Sequence, residues 1–131
     1  MKMEHIALNI SDPVAMSAWY VKHLGFKVVR SMAAPPYTHF LIESGGAIMI
    51  EVYHNPPDQV PLYCRMDPLL LHLAFVSDNP EADKSALLAA GATFVKEDHL
   101  ADGSHLVMMR DPWGLAIQLC KRGSSMVLSS K

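Results

Sequence analysis

Four polar residues set into apolar runs carry the chemistry this sequence could do. His5 lies in MEHIALNI, Glu51 in AIMIEVY, His72 in LLLHLAFV and Gln118 in GLAIQLC. Two imidazoles, a carboxylate and an amide oxygen suit a first-row divalent metal ion. The imidazoles would bind neutral, Glu51 ionised, and Gln118 as a weak neutral oxygen. Such a donor set leaves open positions for water and substrate, which marks a catalytic site and not a structural one. A single histidine in an apolar run is better explained as a packed side chain with a hydrogen-bond partner. The weight therefore falls on how the four are spaced.

That spacing repeats. His5 and His72 are 67 residues apart, as are Glu51 and Gln118. MEHIALNISDP (3–13) resembles LLHLAFVSDNP (70–80), and GAIMIEVYH (46–54) resembles WGLAIQLCK (113–121). Two copies of a short unit are too few for a solenoid. They predict two modules packed about an approximate two-fold axis.

Each module reads as βαβββ. In the first, a strand over Met3–Ile10 leads to Asp12 as N-cap and Pro13 at the first helical position. The helix runs to about His23 and Gly25 ends it. Strands follow near Lys27–Met32, Tyr37–Glu43 and Ala47–His54, with Gly45-Gly46 as the last hairpin turn. In the second, a strand over Leu69–Ser77 leads to Asn79 and a helix over Pro80–Ala90. Strands follow near Thr93–Asp98, Ser104–Arg110 and Leu115–Lys121, and Asp111-Pro112-Trp113-Gly114 has the composition of a type I turn. The fold class is α+β: two βαβββ modules forming a curved mixed β-sheet cup with the helices outside. The divisions are 1–54 for the first module, 55–68 for a proline-rich linker, 69–122 for the second module and 123–131 for a flexible tail.

Side chains alternate faces along a strand. Ile6, Leu8 and Ile10 oppose His5, Ala7 and Asn9, while Ile48, Ile50 and Val52 oppose Met49, Glu51 and Tyr53. Leu71, Leu73 and Phe75 oppose His72, Ala74 and Val76, while Leu115, Ile117 and Leu119 oppose Ala116, Gln118 and Cys120. Four times the aliphatic face suits cover by a helix, and four times the candidate ligand lies on the other face.

Composition narrows the function. The chain has 131 residues, half of them hydrophobic, and a net charge of −2, so no basic footprint for nucleic acid is present. No apolar run approaches the roughly 20 residues of a membrane span, and the N-terminus lacks the pattern of a signal peptide. The two cysteines, Cys64 and Cys120, read as reduced thiols, which fits a cytoplasmic protein. No P-loop, dinucleotide fingerprint or CxxC motif occurs.

The stretches HIALNISDP, LGFKVV, MIEVYHN, LHLAFVSDNP, AAGATFV and DPWGLAIQL resemble the vicinal oxygen chelate superfamily, the group of glyoxalase I, bleomycin-resistance proteins and extradiol dioxygenases. They span about 3–121, and the resemblance is specific for the fold and not for the reaction. It implies ligands on the first and last strand of each module, here His5, Glu51, His72 and Gln118. The cofactor is then a divalent ion (Ni, Zn, Mn or Fe). The implied function is a lyase or isomerase of the glyoxalase type, lactoylglutathione-lyase-like or epimerase-like. The ion would chelate adjacent oxygens of a small substrate, and Glu51 would be the general base for a proton shift through an enediolate. Gln118 stands where small bacterial glyoxalase I has a glutamate, which leaves Glu51 as the one ligand carboxylate able to act as base. The resemblance also implies a homodimer, with each site built within one chain or from both.

Two alternatives accompany this reading: a metal-free drug- or small-ligand-binding protein of the bleomycin-resistance type, and a dioxygenase. Binding proteins of the group usually lose the ligand histidines, and this chain has both. Asn9, Met49, Tyr53 and Trp113 are candidates to line the substrate pocket. Arg30, Arg65 and Arg110 are each able to hold a substrate carboxylate, and the sequence does not choose among them. His23 suits a helix C-terminus. His54, His99 and His105 read as solvent-facing, Asp83 and Lys84 as the exposed side of a helix, and His39 as mid-strand with no assigned face.

Overall fold

The computed structural model describes residues 1–126. The chain divides into two compact units, Met1–Pro61 and Leu62–Lys131. The predicted tail falls largely outside the described residues. Of its first part, Gly123 is anchored by a backbone bond from its N–H to Ser104 Oγ (3.1 Å).

The first unit contains β1 (His5–Asn9), α1 (Pro13–Leu24), β2 (Lys27–Ser31), β3 (His39–Ile42) and β4 (Met49–Tyr53). Its sheet has the order β1-β4-β3-β2, with β1 parallel to β4 and the other pairs antiparallel. The parallel pair needs a crossover, and α1 begins it. Asp12 Oδ1 accepts from Ala15 N at 3.0 Å, and Pro13 occupies the first turn, where a missing N–H costs nothing. Gly25 closes the helix at φ 73°, a left-handed conformation that glycine adopts without steric penalty. Met16 and Tyr20 of the helix are buried with Leu8, Ile10, Phe26, Leu41, Ile50 and Val52. Each such aliphatic side chain contributes roughly 1.5–3 kcal/mol on leaving water.

The second unit repeats the plan with β5 (Leu73–Val76), α2 (Pro80–Ala89), β6 (Thr93–His99), β7 (His105–Arg110) and β8 (Ala116–Lys121), in the order β5-β8-β7-β6. Asn79 caps α2 through Ala82 N, and its φ and ψ of −139° and 82° match the −140° and 83° of Asp12. Each second strand carries a bulge, between Val28 and Arg30 in β2 and between Phe94 and Lys96 in β6. Leu87, Val107, Met109, Leu115, Ile117 and Leu119 form the buried interior. The βαβββ order expected from the sequence is therefore present twice. No described helix is long and apolar enough to cross a membrane.

Two expectations need correction. The strand predicted over Leu69–Ser77 pairs only over Leu73–Val76. Asp67 Oδ1 accepts from Leu69 N (2.9 Å) and its carbonyl accepts from Leu70 N (2.9 Å), so the chain turns here. Asp followed by Pro favours such a turn, and Leu69 and Leu70 end 81% and 74% exposed. His72 thus sits at the mouth of the strand and not mid-run. The aliphatic face of β4 also starts late: Ile48 precedes the strand and is 62% exposed, while Ile50 and Val52 are covered.

Candidate functional site

In the first unit, parallel pairing sets Ala7 against Glu51 and His5 against Met49. His5, Ala7, Asn9, Met49, Glu51 and Tyr53 therefore share the sheet face away from the helix. His5 Nε2 lies 3.0 Å from Glu51 Oε2, and His5 Nδ1 lies 3.0 Å from Glu4 Oε1. With Nδ1–H donating to Glu4, Nε2 meets a carboxylate oxygen lone pair to lone pair. That contact is repulsive unless a proton or a cation lies between them. The edge of Phe40 packs against His5, with ring centroids 5.6 Å apart at 85°.

Antiparallel pairing extends this row. Phe40 pairs with Glu51, and Arg30 pairs with Phe40, so the Arg30 side chain shares the face of His5 and Glu51. The sequence offered three arginines without ranking them, and the structure separates them. Arg110 donates Nη1 to Tyr63 O (2.7 Å) and Gly114 O (3.0 Å), and Nη2 to Met66 O (2.7 Å). Its guanidinium is a clamp on the backbone of the 63–66 turn. Arg65 lies exposed in the 3₁₀ turn Tyr63–Arg65.

The second unit shows the same ladder. Ala74 pairs with Gln118, Gln118 with Met108, and Met108 with Lys96. Gln118 therefore occupies the register of Glu51, Met108 that of Phe40, and Lys96 that of Arg30. Gln118 Oε1 accepts from Cys120 Sγ at 3.2 Å. Burial pushes the Cys120 thiol above its usual range, against the opposing charge of Arg122. His72 Nδ1 donates to Pro68 O at 2.8 Å, which fixes the tautomer with Nε2 as the bare nitrogen.

The residues thus fit a divalent ion in their donor chemistry. Each histidine has Nδ1 engaged by an outer partner, as metal-binding histidines commonly do, while His5 Nε2 faces the Glu51 carboxylate. Among the pocket candidates, Met49, Tyr53 and Trp113 are half-buried. Asn9 Nδ2 donates to Pro56 O (2.8 Å) and Gln59 O (3.3 Å), while its Oδ1 accepts from Asn55 N (2.9 Å). It pins the segment that follows β4.

Several polar residues set aside in the sequence are engaged. His54 is half-buried and donates Nδ1 to Ile10 O at 2.9 Å. His39 does the same to Tyr37 O at 2.7 Å. Lys84 bridges Glu81 and Glu97 at 3.0 and 3.1 Å, and Asp83 accepts from Ser77. His105 is 13% exposed and bonded to Glu97, whereas His99 is exposed as expected. The partners of His54 and His105 come from other stretches of the chain, beyond the reach of strand parity, whereas those of His39 and one of those of Lys84 are local.

The family model of the Glyoxalase/Bleomycin resistance protein/Dioxygenase superfamily matches residues 2–119. A glyoxalase family protein from Enterococcus faecalis is similar at 27% identity, covering 92% of this chain and 97% of that one, with a TM-score of 0.67. A glyoxalase family protein from Bacillus cereus shares the fold at 15% identity over 93% and 94%, with a TM-score of 0.79. TnmS3, an antibiotic binding protein from a Streptomyces species, shares it at 19% identity over 93% and 98%, with a TM-score of 0.69. No curated protein matches significantly. The ladder of paired strands and the match over residues 2–119 lead to one conclusion: the chain belongs to the Glyoxalase/Bleomycin resistance protein/Dioxygenase superfamily.

Proposed function

We propose that the protein is a metal-dependent lyase or isomerase that moves a proton on the carbon next to a carbonyl of a small substrate. In this reading His5, Glu51, His72 and Gln118 hold one divalent ion, with the pairs drawn from one chain or from two chains of a homodimer. The bound ion supplies Lewis-acid stabilisation to two adjacent substrate oxygens. Glu51 takes the proton from carbon and returns it to the neighbouring position. Arg30 offers positive charge to an anionic substrate from the same sheet face, and Met49, Tyr53 and Trp113 wall the pocket.

The observation that carries this reading is the His5 Nε2–Glu51 Oε2 approach of 3.0 Å, with Nδ1 already bound to Glu4. A proton on Nε2 or a cation between the two donors relieves that contact, and this reading assigns it to the cation. The test is deuterium exchange into thiol–2-oxoaldehyde adducts and 2-substituted acyl thioesters, read by NMR on metal-loaded protein. Exchange is expected in the native chain and lost in Glu51→Gln, which keeps an oxygen donor but no base. Exchange that survives Glu51→Gln places the base elsewhere. Tight adduct binding by metal-free protein, with no exchange under any loading, would favour a binding protein instead.

A further inference from the structure

The hairpin of β6 and β7 brings together three metal-binding side chains that the proposed function does not use. His99 and His105 face each other directly across the antiparallel pair, and Glu97 lies two residues before His99 on the same face. The rings stack with centroids 4.1 Å apart and 19° between planes. His105 Nε2 is bonded to Glu97 Oε1, and His99 Nε2 lies 4.0 Å from the same oxygen. One ligand atom from each residue lies within 4.8 Å of the others.

We propose that Glu97, His99 and His105 form a separate zinc site, with water at the fourth position. Zinc takes imidazole nitrogen at about 2.0–2.1 Å and carboxylate oxygen at about 2.0–2.2 Å in a tetrahedron, so its donors stand roughly 3.3 Å apart. Reaching that spacing opens the His105–Glu97 contact and closes the His99–Glu97 gap, each by less than about 1 Å, and tilts the two stacked rings so that their nitrogens converge on the ion. The His99 side chain is 73% exposed and free to make its part of this adjustment.

The surroundings prepare the site. Lys84 takes the other carboxylate oxygen, Oε2, at 3.1 Å, which leaves Oε1 turned to the histidines. The connecting turn is closed by Leu100 N to Ser104 O (2.9 Å) and by Asp102 Oδ1 accepting from Ser104 N (2.8 Å). The site is also distinct from Gln118. Glu97 pairs with Val107 and Val107 with Leu119, which puts it on the sheet face opposite Gln118.

The test is calorimetric titration of untagged protein with zinc chloride in a His5→Ala/His72→Ala background, which removes the other candidate ligands. One equivalent is expected to bind with micromolar affinity, and adding His99→Ala should weaken it at least 10-fold. His105→Ala should do the same, although it also removes a partner of Glu97. The exposed His99 variant therefore keeps the test decisive. No binding below 1 mM zinc, or affinity unchanged by His99→Ala, would overturn the proposal.

Discussion

Replacing Arg110 tests whether a candidate substrate arginine is instead a structural clamp. Arg110→Met keeps much of the length and the apolar stem but removes the donors to Tyr63 O, Met66 O and Gly114 O. Hydrogen bonds from a charged donor contribute about 1.5–3 kcal/mol each. Two of the three share Nη1, and of the three acceptor residues only Met66 is half-exposed. The net loss is therefore well below three full bonds, about 2–4 kcal/mol. With an m-value of roughly 2 kcal/mol per M for a small domain, the urea midpoint should fall by about 1–2 M. Arg65→Met is the control, since an exposed arginine with no such partners should shift stability by about 0.5 kcal/mol or less. Arg110→Lys should recover less than half of the loss, because an ammonium cannot span the same acceptors. Equal midpoints for Arg110→Met and Arg65→Met would refute the clamp and return Arg110 to the pocket.

Burial works against ionisation of Glu43, but N–H bonds from Ala47, Gly45 and Ile48 outweigh it and lower its pKa below the ordinary 4.5. A depressed carboxyl stabilises the fold above its unfolded value and loses that contribution as pH falls through the folded one. The Gly45 amide shift should therefore titrate with a midpoint under 4.5 and flatten in Glu43→Gln; a midpoint at or above 4.5 would contradict the turn geometry. Cys64 is exposed while Cys120 is buried with a raised pKa, so an aromatic disulfide reagent at pH 8 should label one thiol fast and the other only after unfolding. Two fast thiols would contradict the packing of β8.

Much of the fold was legible because the sequence states it twice. The offset between Asp12-Pro13 and Asn79-Pro80 marked both helix starts, and strand parity placed His5 and Glu51 on one face, where they meet. Local pattern failed where a tertiary or side-chain bond decides. Leu69–Leu71 reads as strand, but the carboxylate of Asp67 turns it. The face of Arg30 is set by the bulge after Val28, which breaks the alternation on which parity depends. His54 and His105 looked solvated because their partners, Ile10 and Glu97, come from other stretches of the chain. Gln118 was singled out by the repeat, strand parity and the resemblance; its own environment, a cysteine thiol, gives no sign of a ligand role.

The central claim is that His5, Glu51, His72 and Gln118 bind one ion. Crystals of untagged protein, with anomalous data collected on both sides of the absorption edge of each candidate metal, test it most directly. A single peak about 2.0–2.3 Å from His5 Nε2, His72 Nε2 and oxygens of Glu51 and Gln118 is the predicted result. Protein soaked in each metal that shows no peak between His5 and Glu51, or an ion there that leaves His72 and Gln118 uninvolved, would contradict it.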